Sequence, residues 1–328
     1  DLIVGQPQIK EAATVGVPDD RLGERIAVAV VPHEGEEPKL EDITAWLEAR
    51  DIAIFKRPEF LVIVDALPRN AMNKVVRDEL REMAEALRAA GYSAGVDEHS
   101  VDADGAAEAI VANAIDQFGR LDAIILNAGI SGPAARVADS DLSDLRAVME
   151  INFFANAALV QAALPHLEQS PAGRIVLIAS SAGLHGLKGR APYAASKAAL
   201  IAYGRSLALE LRRTNIRTNI FAPYAATKMT GGQDEVTDER LLPEYAAPGA
   251  AWLSSDQCDA NGEIWVGGAG QFRRAAMVEG AGGRDPYADA QWLAENAGNL
   301  RSLEPHREFP GGEAAFADFY SALGSPSE

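Results

Sequence analysis

The sequence predicts an α/β fold, in which a doubly wound parallel sheet is flanked by helices from about residue 84 onward and follows a small α+β module. The apolar, largely β-branched run within 174–180 is typical of a strand that is buried on both faces, and further apolar runs lie within 119–129 and 216–223. A Pro-free segment rich in Ala and Leu, 194–211, separates the runs at 174–180 and 216–223, so strand and helix alternate. The apolar fraction of 48% is that of a globular chain with a substantial core.

Composition and charge narrow the functional classes. The net charge of −18 leaves no basic surplus to neutralise phosphates, which argues against nucleic-acid binding. The sequence has no apolar run of about eighteen residues and opens without a basic and apolar leader, so we expect neither a membrane span nor a secretory signal. The single cysteine, Cys258, excludes an internal disulfide and fits a reducing, cytoplasmic location. The five histidines lack metal-ligand spacing, and we expect no metal.

Residues 1–82 are predicted to form the small α+β module. The predicted strands are Ala12–Val17, Ile26–Val31 and Glu59–Val64. Apolar residues at helical spacing predict a helix from Leu40 to Arg50, between the second and third strands. A turn-rich loop then carries Lys74, and a long charged helix from Val75 to Ala90 follows. Taken alone, Lys74 is one exposed cation on a loop.

The stretch from Arg174 to Lys197 carries the strongest chemical signal. Its apolar strand ends at Ser180, where small residues allow a sharp turn, and Tyr193 and Lys197 follow after thirteen and seventeen residues. Positions i and i+4 share one face of a helix, so Lys197 is expected beside Tyr193. An ammonium group lowers the pKa of a neighbouring phenol, which makes Tyr193 a candidate proton donor near neutral pH. The hydroxyl of Ser180 is a candidate partner for a substrate oxygen.

The same Tyr–Lys spacing recurs at Tyr224 and Lys228. Tyr224 follows Pro223 and precedes a Gly-Gly pair, so we predict that this second pair lies on a loop. The context of strand, turn and helix therefore favours Tyr193 and Lys197 as the functional pair.

In this order, these residues resemble the short-chain dehydrogenase/reductase family, from about residue 83 to 328. Ser180, Tyr193 and Lys197 resemble its catalytic triad, and Asn152 resembles the helix asparagine that completes a tetrad. The resemblance implies that Tyr193 protonates a substrate carbonyl and that Ser180 binds the carbonyl oxygen. It also implies that Lys197 lowers the pKa of Tyr193 and binds the ribose of a nicotinamide cofactor, while Asn152 holds a water for proton relay.

The resemblance implies a cofactor, NAD or NADP, bound to a Rossmann-like doubly wound sheet. The stretch 119–129 resembles the fourth strand of the family with its Asn-Ala-Gly turn, and 216–223 resembles the sixth strand. The residues implied in cofactor binding are Asn127, Ala128, Gly129, Tyr193, Lys197, Pro223 and Thr227. The implied partners are a small carbonyl or alcohol substrate and, as is usual in the family, further copies of the same chain.

The sequence departs from the family at the start of the sheet. It has no glycine-rich strand-to-helix turn of the kind that binds a cofactor pyrophosphate, and we predict that the stretches 267–270 and 280–283 are structural turns. A strand predicted from Ser93 to Val101 ends near Ser100 or Asp102, either of which takes the position of an aspartate that contacts adenine. The Rossmann-like sheet is therefore predicted to be incomplete. Downstream, Tyr224 replaces a common glycine.

The remaining elements are predicted from local patterns. We expect a helix from Gly105 to Phe118, one or two helices from Pro286 to Leu303, and an amphipathic helix from Glu313 to Leu323. The last helix is predicted to pack against the sheet, with an oligomer contact or a lid as alternatives.

Residues 1–82 resemble the C-terminal subdomain of adenylate-forming enzymes, the acyl-CoA synthetase superfamily. The matching motifs are 15–20, 22–26, 55–58 and 67–74. In that family a lysine at the position of Lys74 stabilises the acyl-adenylate transition state and usually follows a glycine, where this sequence has Asn73. The sequence lacks the large domain that holds ATP and the acid, so no ligase activity is expected.

Two classes of function remain open from the sequence. The first is an NAD(P)-dependent oxidoreductase that interconverts a carbonyl and a secondary alcohol. The second is a catalytically inactive fusion remnant or interaction scaffold without a pyrophosphate site. An acyl-CoA ligase fragment is a third reading. The substrate, and the choice between NAD and NADP, are not encoded in any motif that we find.

Overall fold

The computed structural model describes residues 3, 6–19, 23–33, 36, 38–50, 57–58, 60–63, 84–225 and 239–322. The chain divides into two compact units, Asp1–Val96 and Asp97–Glu328. The domain boundary predicted between residues 82 and 83 stays a prediction. Lys74 and most of the predicted helix Val75–Ala90 lie outside the described residues, and residues 84–89 of that helix are helical.

The first unit is the predicted α+β module. Its elements are strand β1 (Ile9–Asp19), strand β2 (Gly23–Pro32), helix α1 (Leu40–Glu48) and strand β3 (Phe60–Ile63). β1 pairs with β2 antiparallel and β3 pairs with β2 parallel, which forms a three-stranded sheet. Ile43 and Leu47, one helical turn apart on α1, pack against Val28 and Val30 of β2 and form the core of this unit.

The second unit contains the longer series of elements. Its helices are α2 (Ala106–Phe118), α3 (Leu142–Met149), α4 (Ala155–Leu167), α5 (Ser181–His185), α6 (Ala191–Glu210), α7 (Ala247–Leu253), α8 (Ala290–Leu300) and α9 (Gly312–Ser321). Its strands are β4 (Ala123–Leu126), β5 (Arg174–Ile178), β6 (Arg217–Pro223), β7 (Ile264–Gly268), β8 (Gln271–Ala275), β9 (Val278–Gly280) and β10 (His306–Glu308). A π-helical segment, Glu150–Phe154, joins α3 to α4.

The main sheet has five strands in the order β4-β5-β6-β7-β8. The first four strands are parallel and β8 returns antiparallel to β7, so the predicted α/β class is confirmed. Among the described residues, β4 pairs with β5 alone and is an edge strand. Strands β9 and β10 form a separate antiparallel pair.

The core of the second unit lies between this sheet and helices α4 and α6. Every residue of β5 is buried, as its β-branched sequence predicted. Helix α6 approaches the sheet closely at Gly204, where a Cβ would lie 2.9 Å from Leu177 and 3.0 Å from Ile220. A side chain at position 204 would therefore push the helix that carries Tyr193 away from the strands.

One helical run in the described part of the chain, Leu142–Leu167, is long and apolar enough to cross a membrane by length and composition. Val160, Ala163 and Leu167 of this run are fully buried and belong to the same core cluster as β5. Such packing is that of a core helix of an α/β sheet.

The predicted strand Ser93–Val101 is wrong, because residues 93–100 are irregular. Within that stretch apolar residues do not alternate, and no described strand lies outside β4 to pair with it. The helix predicted after it is confirmed as α2.

The stretch 267–270 forms a structural turn, as predicted, whereas 280–283 begins at the end of strand β9 and continues as irregular backbone. Ala269 and Gly270 have φ angles of 50° and 75° and form the two-residue hairpin that joins β7 to β8. Gly280 ends β9, where a Cβ would lie 2.1 Å from the carbonyl oxygen of Ser302.

The prediction that the last helix packs against the sheet is wrong for its aromatic residues. Phe316, Phe319 and Tyr320 are 64 to 66% exposed, and the rings of Phe316 and Tyr320 pack against each other instead. Polar contacts attach this region, because Asp318 of α9 pairs with Arg307 and Arg205 of α6 donates to the carbonyl oxygen of Phe309 at 2.7 Å. Its amphipathic pattern was predicted correctly, but its partner was not.

Candidate active site

The candidate site lies where β4, β5 and β6 end and α6 begins. In a parallel sheet the carboxyl ends of the strands meet at one edge, where ligands of α/β proteins bind. Asn127 follows β4, Ser180 follows β5 and Pro223 ends β6, while Tyr193 and Lys197 lie on the first two turns of α6. The topology therefore brings together residues that are separated by up to a hundred positions in the sequence.

Ser180 is the N-cap of the short helix α5, with extended backbone angles. Its Oγ accepts a hydrogen bond from the backbone N–H of Ala182 at 3.1 Å, which fixes the side chain and leaves its own hydrogen free to donate. Gly183, in the same turn, lies so close to α6 that a Cβ would be 2.7 Å from the backbone of Lys197. This glycine allows the turn of Ser180 to lie directly against the helix of Tyr193.

Tyr193 and Lys197 occupy successive turns of α6, as their spacing predicted. The Nζ atom of Lys197 lies 5.9 Å from the centroid of the Tyr193 ring. Lys197 is only 4% exposed, and its Nζ donates to the carbonyl oxygen of Ile178 at 2.7 Å. Burial lowers the pKa of Lys197 to about 8, so the amine is mostly protonated at neutral pH and loses its charge above that value.

Asn152 lies in the π-helical segment and is fully buried. Its Oδ1 accepts from the N–H of Ile130 at 2.7 Å, and its Nδ2 donates to the carbonyl oxygen of Ile130 and to Ser196 Oγ, each at 2.9 Å. Segments of π-helix are frequent at functional sites, because the extra residue per turn re-aims side chains. Asn152 thus links the strand β4 turn to helix α6.

The turn after β4 also depends on a close approach. A Cβ at Gly129 would lie 3.1 Å from Asn152 Oδ1 and 3.4 Å from Lys197 Nζ, so a glycine here leaves open space beside the amine. Asn156, buried on α4, donates to the carbonyl oxygens of Ala128 at 3.3 Å and of Asn152 at 2.8 Å. Asn156 was not predicted as a site residue, although a polar residue four positions after Asn152 in an apolar helix was a usable signal.

A cavity of about 410 Å³ opens at this edge of the sheet. The residues that line it are Ser131, Ser180, Ser181, Ala182, His185, Gly186, Leu187, Arg190, Tyr193, Pro223, Tyr224 and Ala225. Ser180, Tyr193 and Pro223 were predicted, whereas Ser131, His185 and Arg190 were not. Tyr224 lies just past β6, outside any helix, as predicted, while Thr227 and Lys228 lie outside the described residues.

The described residues fit one end of a dinucleotide better than the other. The amine of Lys197, beside the space that Gly129 leaves open, suits the hydroxyls of a ribose. The strands of the described part, by contrast, are followed by no glycine-rich turn that opens a helix, which is the usual pyrophosphate site. The described residues that were predicted from the sequence to bind the cofactor lie at this edge, and their role stays a prediction: Asn127, Ala128, Gly129, Tyr193, Lys197 and Pro223.

Comparison with known proteins gives two family matches. The model of the short chain dehydrogenase family matches residues 63–239, and that of the AMP-binding enzyme C-terminal domain matches residues 1–74. The chain is 33% identical over 201 residues to a short-chain type dehydrogenase/reductase of Mycobacterium tuberculosis. The aligned region covers 60% of this chain and 68% of that protein. It is 34% identical over 197 residues to peroxisomal multifunctional enzyme type 2 of Drosophila melanogaster, again over 60% of this chain but over only 32% of that longer protein.

A solved structure gives the same picture. The complex of 7α-hydroxysteroid dehydrogenase with NADH and 7-oxo glycochenodeoxycholic acid superimposes with a TM-score of 0.54 at 26% sequence identity. The match covers 59% of this chain and 81% of that one.

Proposed function

The chain belongs to the short-chain dehydrogenase family of oxidoreductases, and from that premise we propose that it interconverts a small carbonyl compound and a secondary alcohol with NAD or NADP. The observation that carries this proposal is that Ser180 and Tyr193 line one cavity while Lys197 lies buried within 5.9 Å of the Tyr193 ring. A structural neighbour that contains NADH supports the choice of cofactor class.

The cofactor, when bound, would donate or accept the hydride. In the direction of reduction, the phenol of Tyr193 gives its proton to the carbonyl oxygen, and Ser180 Oγ donates a hydrogen bond to the same atom. The protonated amine of Lys197, held by the Ile178 carbonyl, stabilises the phenolate that Tyr193 becomes. Asn152 positions the β4 turn against α6 through its bonds to Ile130 and Ser196, so that Gly129 and Lys197 stay adjacent.

A second candidate function, a catalytically silent scaffold, is favoured by one observation. The described residues contain no glycine-rich turn at the sheet edge, and among them no strand pairs with β4 on the side where a family member has further strands. In this case the chain would bind other proteins rather than turn over a substrate. A cytoplasmic location and self-association stay predictions, as does the absence of nucleic-acid, membrane and metal partners.

The first experiment is a titration of the full chain with NADH and NADPH, followed by energy transfer from its four tryptophans. Saturable micromolar binding that Lys197→Ala weakens is expected for a dehydrogenase. A folded chain without binding up to millimolar cofactor favours the scaffold instead.

Turnover of a panel of ketones with the preferred cofactor then tests Tyr193. We expect Tyr193→Phe to lower kcat by about 100- to 10,000-fold, the usual contribution of a general acid. Tyr203→Phe, on the same helix but packed edge-on against Phe153, is the matched control and should stay close to the unaltered chain. Full turnover by Tyr193→Phe would show that the assigned roles are wrong.

A further inference from the structure

The cavity of the candidate site carries one permanently charged side chain that the proposed reaction does not use. Arg190 is the N-cap residue of α6, three positions before Tyr193, and lines the same cavity as Ser180 and Tyr193. Its side chain is partly buried. An arginine that is desolvated beside a reaction centre needs either a structural or a ligand-binding explanation.

The contacts of Arg190 occupy only part of its hydrogen-bonding capacity. Its Nη1 donates to the carbonyl oxygen of Gly132 and, more weakly at 3.4 Å, to Ser131 Oγ. A guanidinium group has five N–H donors in a planar fork, and among the described residues Nε and Nη2 of Arg190 have no hydrogen-bond partner. The Nη1 contacts hold the plane of the group fixed, which reduces the entropy lost when a ligand binds to the other edge.

The charge of the cavity points to the same kind of ligand. Among the described residues, its lining includes Arg190 and His185 and no carboxylate. The whole chain, by contrast, carries a net charge of −18. A concave site whose described lining carries a cation and no carboxylate can attract anions even on a protein of negative net charge.

We propose that the substrate carries an oxyanion, a carboxylate or a phosphate ester, in addition to its reacting carbonyl or hydroxyl group, and that Arg190 binds this oxyanion through Nε and Nη2. Planar donors match the two oxygens of such a group. This inference rests on the proposed function and narrows its substrate to an anionic keto or hydroxy compound.

Matched substrate pairs test the inference with the full chain and saturating cofactor. The pairs are acetoacetate with methyl acetoacetate and dihydroxyacetone phosphate with dihydroxyacetone, which differ mainly in the anionic group. We expect kcat/KM to favour the anionic member of at least one pair by about 10- to 100-fold, as the loss of a charge-assisted hydrogen bond implies. The pair that shows the preference identifies the oxyanion.

Variants of the arginine then separate binding from folding. Arg190→Gln should remove most of the preference through a higher KM for the anionic member, and Arg190→Lys should restore part of it. Lys188→Gln is the control, because Lys188 is exposed, lies two residues away and is absent from the cavity lining. Lys188→Gln also removes one positive charge, and it should leave the preference for the anionic substrate unchanged.

The outcomes distinguish this inference from the proposed function. Turnover without anion preference, or an equal loss for both members in Arg190→Gln, overturns the inference and leaves the dehydrogenase intact. A lower affinity of Arg190→Gln for NADH with unchanged substrate preference also overturns it, since the arginine then binds the cofactor. If no panel member is turned over, calorimetric titration with acetoacetate and inorganic phosphate decides: binding that Arg190→Gln abolishes supports the inference, and its absence overturns it.

Discussion

Strands β4 and β5 lie side by side, have similar apolar sequences and differ in their surroundings. All five residues of β5 are buried, whereas in β4 only Leu126 is buried and Ile125 is 47% exposed. β5 has a paired strand on each edge, while β4 has a neighbour on one edge alone within the described residues. The difference shows that neighbours, rather than the strand's own residues, decide burial in this sheet.

The residues of the candidate site differ in burial in the same way, according to the strand that they follow. The residues that depend on β5 are held by short contacts, such as the 2.7 Å bond from Lys197 to the Ile178 carbonyl. Asn127, which follows β4, is exposed. Lys197 is therefore enclosed beneath the half-buried Ser180 and Tyr193, whereas the residue that follows β4 lies in water.

The largest expected effect compares a truncation in each strand. Leu177→Ala in β5 should lower the free energy of unfolding by about 2 to 5 kcal/mol, since Leu177 is fully buried and a cavity would remain beside α6. Ile125→Ala in β4 should cost less than about 1 kcal/mol, because half of this side chain is already in water. Urea denaturation measures both. Equal losses would mean that a partner covers β4 in solution.

The fold was predictable from the sequence where local pattern decides it. Apolar runs and helical patterns correctly predicted helices α2 and α6 and strands β4, β5 and β6, whereas α3, α4 and α5 were not predicted. The predicted strand at 93–101 failed because a strand needs a paired neighbour, and local sequence does not reveal whether one exists. The prediction that the last helix packs against the sheet through Phe316 and Phe319 failed for a similar reason. The amphipathic pattern of a helix shows which face is apolar, but not which surface covers that face.

The candidate site was predictable where its residues share a short segment. Ser180, Tyr193 and Lys197 lie within eighteen positions, so their spacing carried the information. Arg190 lies in the same segment, but its relation to Gly132 crosses more than fifty positions and appears only in the folded chain. The contact of Asn156 with the turn at Ala128 is equally remote in sequence.

The second prediction concerns the energetic consequence of enclosing Lys197. Its pKa is lowered from 10.5 to about 8 by burial, so between these pH values the unfolded chain binds more protons than the folded one. Lys197 therefore contributes a rise of roughly 3 kcal/mol to the free energy of unfolding as pH increases across this window. Lys197→Met should remove that rise, which urea denaturation at pH 7, 9 and 10.5 measures.

At pH 7 the methionine variant should be the more stable chain, by on the order of 2 kcal/mol. The gain from removing a buried cation exceeds the loss of about 1 kcal/mol from leaving the Ile178 carbonyl without its donor. Its catalytic turnover should nevertheless disappear. If Lys197→Met is less stable than the unaltered chain at pH 7 and its stability depends on pH in the same way, the conclusion that the Lys197 amine is enclosed would be wrong.

The smallest expected effect on stability belongs to Ile125→Lys at the open strand. The free energy of unfolding should change by less than about 0.5 kcal/mol, because a lysine at a half-exposed edge position keeps its amine in water.

Edge strands without charge or proline are prone to pair with other chains, and β4 carries neither between Ala123 and Leu126. The lysine should therefore reduce concentration-dependent association in sedimentation experiments. Leu293→Lys, at a similarly exposed position on helix α8, is the control and should leave association unchanged, because a helix has no strand edge to pair with another chain. If Ile125→Lys unfolds the chain instead, position 125 is covered in solution. The contrast between an exposed β4 and a buried β5 would then be wrong.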